Sequence, residues 1–247
     1  VLSGHRPVPR ETDNYVASSK PVFALHEDAQ TMNRAENRKR EEAKMWDEWA
    51  QGLHPKLATP YTDDEYDKIM SWMEIEKTKR GLFLEVGSGT SPYGIRLAKA
   101  GHNVVAVDIS KVELAGAHGY ARSQNVEMQF VRADIEHLPL RSESVNTVVC
   151  GTVLHHVHYV LKDTLAELVR VLEKGGKMVA FEPNSHDLLE YLFYHPRNPL
   201  HFKSPNERPL CPRKLRRMLN SVGFSSSMVE PKVFYSDGFF PQLSVLF

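Results

Sequence analysis

From Leu82 onward, short β-rich runs alternate with helical patterns, and this alternation most constrains what the chain can fold into. Strands separated by amphipathic helices predict βαβ units, and βαβ units predict a parallel sheet covered on both faces. The expected strands are Leu82 to Val86, Asn103 to Val107, Val126 to Val131, Val145 to Cys150 and Lys177 to Phe181. Between the last two, Leu165, Leu168, Val169 and Leu172 follow the i, i+3, i+4, i+7 spacing of a helix with one buried face. Gly175 and Gly176 then supply a left-handed stop. Leu215, Met218, Leu219 and Val222 repeat the pattern, with Pro212 near the start and Gly223 at the end. The fold class is therefore α/β: a doubly wound, mostly parallel, Rossmann-like sheet with helices on both faces. Right-handed crossovers bring the strand C-termini to one edge, where such a sheet binds its ligand.

The N-terminal third differs. Residues 1 to about 27 hold Pro7, Pro9 and Pro21 among polar residues without a period. From Thr31 to Gln51 the chain is charge-dense and helical, with Glu36 and Arg40, and Arg38 and Glu42, at i,i+4. Trp46, Trp49, Leu57 and Tyr61 precede a second helical stretch over Asp63 to Lys77. We therefore expect an arm and helical cap over 1–77 and a ligand-binding domain over 78–247, with a substrate-covering insertion at about 185–210. Trp46, Trp49 and Tyr61 are candidate lid residues, and the apolar end Phe239 to Phe247 is expected to be an edge strand or else a surface that approaches a lipid-like acceptor.

The first strand runs into Phe83-Leu84-Glu85-Val86-Gly87-Ser88-Gly89-Thr90-Ser91, whose glycines let the backbone turn sharply and approach a ligand. Pro92 stands where a dinucleotide fingerprint has its third glycine, which disfavours a nicotinamide oxidoreductase. Glu85, just before the turn, suits a ligand with a positive centre rather than a diphosphate. Asp108 closes the second strand 19 residues after Gly89, where a carboxylate can accept both ribose hydroxyls. Asp134, after the third strand, can accept from an adenine amino group while Ile135 packs on the base. Each acid also has a structural reading, as a helix or turn cap.

These segments resemble the class I S-adenosylmethionine-dependent methyltransferases, in particular their small-molecule type 11 group. The resemblance spans about Leu82 to Phe224. It rests on Leu84-Glu85-Val86-Gly87-Ser88-Gly89, Val107-Asp108-Ile109-Ser110, Ala133-Asp134-Ile135-Glu136-His137-Leu138-Pro139, Val153-Leu154-His155-His156-Val157 and Glu182-Pro183-Asn184. It implies S-adenosylmethionine as cofactor, with Glu85, Gly87, Ser88 and Gly89 at the methionine part, Asp108 and Ile109 at the ribose, and Asp134 and Ile135 at the adenine. Thr152, after the fourth strand, joins the implied cofactor set. Ser91 departs from the family's third glycine, and Asn146 from the acid that opens strand four.

His155, His156 and Glu182 are candidate general bases at the ligand edge. No metal is expected, because no third ligand follows the two histidines at metal-ligand spacing. Cys150-Gly151-Thr152-Val153-Leu154-His155-His156 is not the turn with which amino-directed nucleobase methyltransferases hold a flipped base. Lys plus Arg and Asp plus Glu both number 31, so the chain carries no basic field for nucleic acid. The expected partner is a small-molecule acceptor. Two cysteines are too few for a disulfide framework, and neither a secretory signal nor a membrane-spanning apolar run is present, so a cytoplasmic location is expected. A non-catalytic S-adenosylmethionine-binding subunit is the alternative from another functional class. The oligomeric state stays open.

Overall fold

The computed structural model describes residues 29–52, 63–74, 81–187, 194–195, 204, 206–235 and 241–246. Helix α1 (Ala29–Ala50) and helix α2 (Asp63–Trp72) precede the sheet. Then follow β1 (Leu82–Val86), α3 (Pro92–Lys99), β2 (Asn103–Asp108), α4 (Lys111–Ser123), β3 (Gln129–Arg132) and β4 (Val145–Gly151). After a 3₁₀ turn over Leu154–Val157 come α5 (Leu161–Val171), β5 (Leu172–Pro183), α6 (Pro212–Val222), β6 (Glu230–Tyr235) and β7 (Pro241–Leu246). The strands form one sheet in the order β3-β2-β1-β4-β5-β7-β6. The first five are parallel, and β7 runs antiparallel to both β5 and β6. Strand order reverses between β1 and β4, so the ends of these two strands form the switch point at which such sheets bind ligands.

Strand alternation sorts the core into two layers. Leu84 and Val86 pack with Val148 and Cys150 against Leu165 and Leu168 of α5 and Leu215 and Leu219 of α6. On the other face, Phe83, Val104, Val149 and Phe181 meet Ile69 and Met70 of α2 and Tyr93 and Leu97 of α3. Leu165 and Leu168 are fully buried, and each such side chain contributes about 1.5 to 3 kcal/mol over its exposed state. Glu85 shares its face with Phe83, as a period of two requires, and therefore points toward α3.

Several boundaries differ from the sequence reading. Val126 does not begin β3: its N–H bonds back to Ala121 O and closes α4, while Asn125 turns with φ 55°. Gly175 is not a helix stop. Helix α5 ends at Val171, and Leu172 is already extended and paired with Val145. The next pair is Thr147 with Lys177, so residues 173–176 bulge out of β5, and Gly175 supplies the positive φ that the bulge needs. The apolar C-terminal stretch forms β7 over Pro241–Leu246, an inner strand between β5 and β6, and β6 is the edge. Helix α6 matches expectation, with Pro212 in its first turn and Gly223 left-handed at its C-cap. Both cysteines are free. Among the described residues, no helix is long and apolar enough to cross a membrane.

Candidate active site

A cavity of about 300 Å³ opens at the switch point. Its lining includes Glu85, Gly87, Ser88, Gly89, Asp108, Ile109, Asp134, Ile135 and Thr152, so the structure brings the whole predicted cofactor set to one place. Gly87 and Gly89 have φ of 58° and 48°, which lets the chain fold back over the sheet edge without a Cβ penalty. Asp108 Oδ2 accepts from Gly89 N at 2.8 Å, and Oδ1 from Ser110 N at 2.8 Å. Asp108 therefore ties the glycine turn to the start of α4. Each carboxylate oxygen has a second lone pair that remains available for a hydroxyl. Burial pushes the Asp108 pKa up from the ordinary carboxylate value, against the pull of these amides.

Glu85 is occupied differently from expectation. Its carboxylate accepts from Tyr93 N at 3.3 Å, from Gly94 N at 2.9 Å and from the Ser91 hydroxyl. It thus caps the first turn of α3 as well as facing the cavity. Burial raises its pKa to about 7 despite those donors. Ser91 sits in the left-handed region with φ 56°, which explains the glycine common at this position. Pro92 is the first residue of α3, so the helix start lacks an N–H that a pyrophosphate would use. Asn146 fulfils an acceptor role at the second departure: its Oδ1 accepts from Leu82 N at 2.5 Å.

Asp134 Oδ1 accepts from Glu136 N at 3.0 Å, closing an Asx-type turn. Its Oδ2 lies 2.8 Å from Lys39 Nζ, and Lys39 also pairs with Glu136 at 3.1 Å. Burial opposes the Lys39 charge, but the two carboxylates outweigh it and raise its pKa. Further along α1, Asp47 accepts from Ser110 Oγ at 2.6 Å and from Val112 N at 3.1 Å, at the start of α4. Helix α1 is thereby fixed across the cavity by two polar anchors. Trp46 lines the cavity and meets His156 edge-on at 5.4 Å. Trp49 packs on Trp46 at 5.6 Å and is not part of the lining. Tyr61 lies outside the described residues.

The candidate bases separate. Glu182, fully buried, accepts from Val153 N at 2.9 Å, Leu154 N at 2.8 Å and His155 N at 3.3 Å, and so holds the turn that carries both histidines. Burial pushes its pKa to about 7. His155 Nδ1 lies 2.8 Å from Glu182 Oε2, and neither residue lines the cavity. His156 alone of the three reaches the wall. Burial works against its charge, but Glu207 and Glu42 prevail and raise its pKa above the ordinary imidazole value. Lys39, Glu42, Tyr66 and Tyr159 also line the cavity, and the sequence reading named none of them as site residues. The charge-dense i,i+4 pattern of α1 resembles any solvated helix face, so it gave no sign that Lys39 and Glu42 turn inward.

The residues fit an adenosyl cofactor. Two carboxylates stand at the ends of β2 and β3, a glycine turn leaves room beside them, and Ser88 Oγ is buried with no partner. The sheet order and the acids at its switch point are the arrangement that the resemblance to class I methyltransferases implies. Residues 84–180 match a family model described as a methyltransferase domain. A malonyl-[acyl-carrier protein] O-methyltransferase of Pectobacterium atrosepticum is 34% identical over 98 residues, covering 40% of this chain and 36% of that protein. A ubiquinone biosynthesis O-methyltransferase of Rickettsia akari is 28% identical over 114 residues, covering 46% of this chain and 41% of the relative. The match thus spans less than half the length of these two relatives. The crystal structure of magnesium protoporphyrin IX methyltransferase from Synechocystis PCC 6803, with bound S-adenosylhomocysteine, superposes with a TM-score of 0.62 at 16% identity. That superposition covers 86% of this chain and 98% of the other, and it shows the shared fold.

Proposed function

We propose that the chain transfers a methyl group from S-adenosylmethionine to an oxygen, nitrogen or carbon nucleophile of a small or medium metabolite. The observation that carries this reading is the composition of the cavity at the switch point. Cofactor-type groups, Asp108 and Asp134, share it with aromatic and polar side chains, Trp46, Tyr66, Glu42 and His156, that no cofactor role requires. The second set is suited to hold an acceptor beside the first. Bound, the cofactor supplies an electrophilic methyl on a sulfonium. Asp108 would hold the ribose, Asp134 and Ile135 the adenine, and the Gly87 turn with Ser88 the methionine part.

That methyl would pass to an electron pair of the acceptor, with the carbon–sulfur pair left on sulfur and the acceptor's proton released to solvent. The protein's share is alignment and exclusion of water, which accounts for about 7 to 11 kcal/mol of barrier in well-oriented reactions. Helix α1 contributes by covering the strand edge through Lys39 and Asp47. Balanced charge and the absence of a nucleobase-gripping turn after β4 favour a metabolite over nucleic acid. Two free cysteines accord with a cytoplasmic setting.

The test is transfer of radiolabelled methyl into separated metabolite, lipid, RNA and protein fractions. Label in the metabolite fraction is expected. Label mainly in RNA or protein overturns the acceptor class, and tight cofactor binding without transfer to any fraction identifies a binding subunit instead.

A further inference from the structure

Beside the cavity, four segments distant in sequence bring two imidazoles and three carboxylates together. His155 Nε2 lies 4.0 Å from Glu207 Oε2, and His156 Nδ1 lies 3.8 Å from Glu207 Oε1 and 3.4 Å from Glu42 Oε2. One ligating atom from each of His155, His156 and Glu207 falls within 4.8 Å of the others. Both glutamates are buried, with Glu42 7% and Glu207 4% exposed, and His155 is 4% exposed. From this geometry we infer that His155, His156 and Glu207 form a binding site for a divalent transition-metal ion, with Glu42 beside His156 as a further carboxylate, and with zinc or a similar borderline cation as the natural fit.

Three features point to a metal rather than to a simple polar cluster. His155 Nδ1 is engaged by Glu182 at 2.8 Å, which turns Nε2 toward Glu207. A carboxylate behind a histidine in this way fixes the ring and raises its basicity, as in the outer shell of metal sites. His156 Nδ1 is buried without a hydrogen-bond partner, although two carboxylates stand 3.4 and 3.8 Å away. Those distances lie beyond the usual range, about 2.7 to 3.2 Å, of a good hydrogen bond, and the shorter is near the edge of a tetrahedron with metal–donor bonds of about 2.0 to 2.2 Å, which is roughly 3.4 Å. Finally, the salt bridges of Glu42, Glu182 and Glu207 among the described residues are with His155 and His156, two bases against three buried acids, with no Lys or Arg beside them.

The existing contacts of the carboxylates leave room for coordination. Glu42 accepts from Trp46 Nε1 at 3.2 Å and from the Ser204 hydroxyl, and Glu207 Oε1 accepts from Ser204 N at 3.1 Å. Each oxygen keeps a further lone pair. Two nitrogens and two oxygens suit zinc, cobalt(II) or a neighbouring ion better than calcium or magnesium, which prefer oxygen-only shells. Glu42 and His156 line the cavity, so the ion would border the acceptor's space and could take one of its oxygen or nitrogen atoms as a ligand. Sequence spacing concealed the site, because Glu42 and Glu207 lie far from the histidines on either side.

The test uses the full chain, stripped with a chelator and titrated with zinc and cobalt(II). One equivalent should bind with a Kd in the micromolar range or below. The cobalt form should show visible d–d bands of a four-coordinate nitrogen and oxygen shell, with no thiolate charge-transfer band. Glu207→Gln should weaken binding at least about tenfold, and Glu182→Gln, acting behind His155, about tenfold as well. Cys211→Ser should leave binding unchanged, which separates this site from the Cys211–His186 contact at 3.6 Å. Circular dichroism would establish that the variants fold. A stripped wild-type chain that takes up no cobalt, a thiolate spectrum, or unchanged affinity in folded Glu207→Gln each overturns the inference.

Discussion

Lys39 Nζ lies 2.8 Å from Asp134 Oδ2 and 3.1 Å from Glu136 Oε2, so one lysine of α1 neutralises two carboxylates at the end of β3. The lysine side chain is only 16% exposed, so solvent screens the pair less than it would an open surface bridge. Removing Lys39 leaves two acids facing each other without a counter-charge. Lys39→Met should therefore loosen α1 by on the order of 1 kcal/mol. Chymotryptic cleavage within α1, at Trp46 or Trp49, should accelerate about fivefold in the ligand-free chain. An unchanged cleavage rate would mean that Asp47 and packing hold the helix unaided.

Asp108 has two functions that one substitution removes together. It binds Gly89 N and Ser110 N, and it is the acceptor proposed for the ribose. Asp108→Ala should weaken S-adenosylmethionine binding about 10- to 150-fold, from the roughly 1.5 to 3 kcal/mol of a charge-assisted hydrogen bond. Calorimetry on a variant with native circular dichroism decides, and an unaltered Kd would remove Asp108 from the site.

Glu85 makes the fold sensitive to pH. Its carboxyl has a pKa of about 7 in the fold and an ordinary value of 4.5. Between those values the folded chain holds a proton that the unfolded chain has lost. Stability contributed by that proton is fully present below about pH 4.5 and declines as pH rises through 7. Urea unfolding should thus show lower stability at pH 7.5 than at pH 5.5. Glu85→Gln should reduce this slope without abolishing it, because Glu182, also raised to about 7 by burial, titrates in the same window. A slope identical in Glu85→Gln and wild type would exclude the ionised carboxylate as its cause.

How much of this was legible in the sequence depends on the range of the contacts. The glycine turn, Asp108 and Asp134 are set by strand ends, and a strand end is marked locally by an apolar run that stops. The residues missed are those whose partners come from elsewhere. Lys39 meets Asp134 across 95 positions, and Ser204 meets Glu42 across 162. No local period encodes such pairs. The bulge in β5 was hidden for a related reason: Gly175 supplies a positive φ both to a helix cap and to a bulge, and only the pairing of Leu172 with Val145 distinguishes them. Glu182 has the residue type of a base, but its three backbone donors follow from a fold that sequence does not display.

Ser91 offers the sharpest separation of backbone strain from electrostatics. Its φ of 56° is unfavourable for a residue with a Cβ, by roughly 1 kcal/mol, while its hydroxyl donates to the buried Glu85 carboxylate. Ser91→Gly removes both the strain and the donor, so the two effects oppose and the net change in stability should fall within about 1 kcal/mol of zero. Ser91→Ala keeps the strain and loses the donor, and should destabilise by about 1 to 3 kcal/mol at pH 8, where Glu85 is ionised. At pH 5.5 the protonated carboxyl needs that donor less, so the loss should shrink. Urea titrations of both variants at the two pH values test this. An Ala variant equally destabilised at both would show that the hydroxyl does not serve the Glu85 charge. A Gly variant as unstable as the Ala variant would show that the left-handed turn carries no strain to relieve.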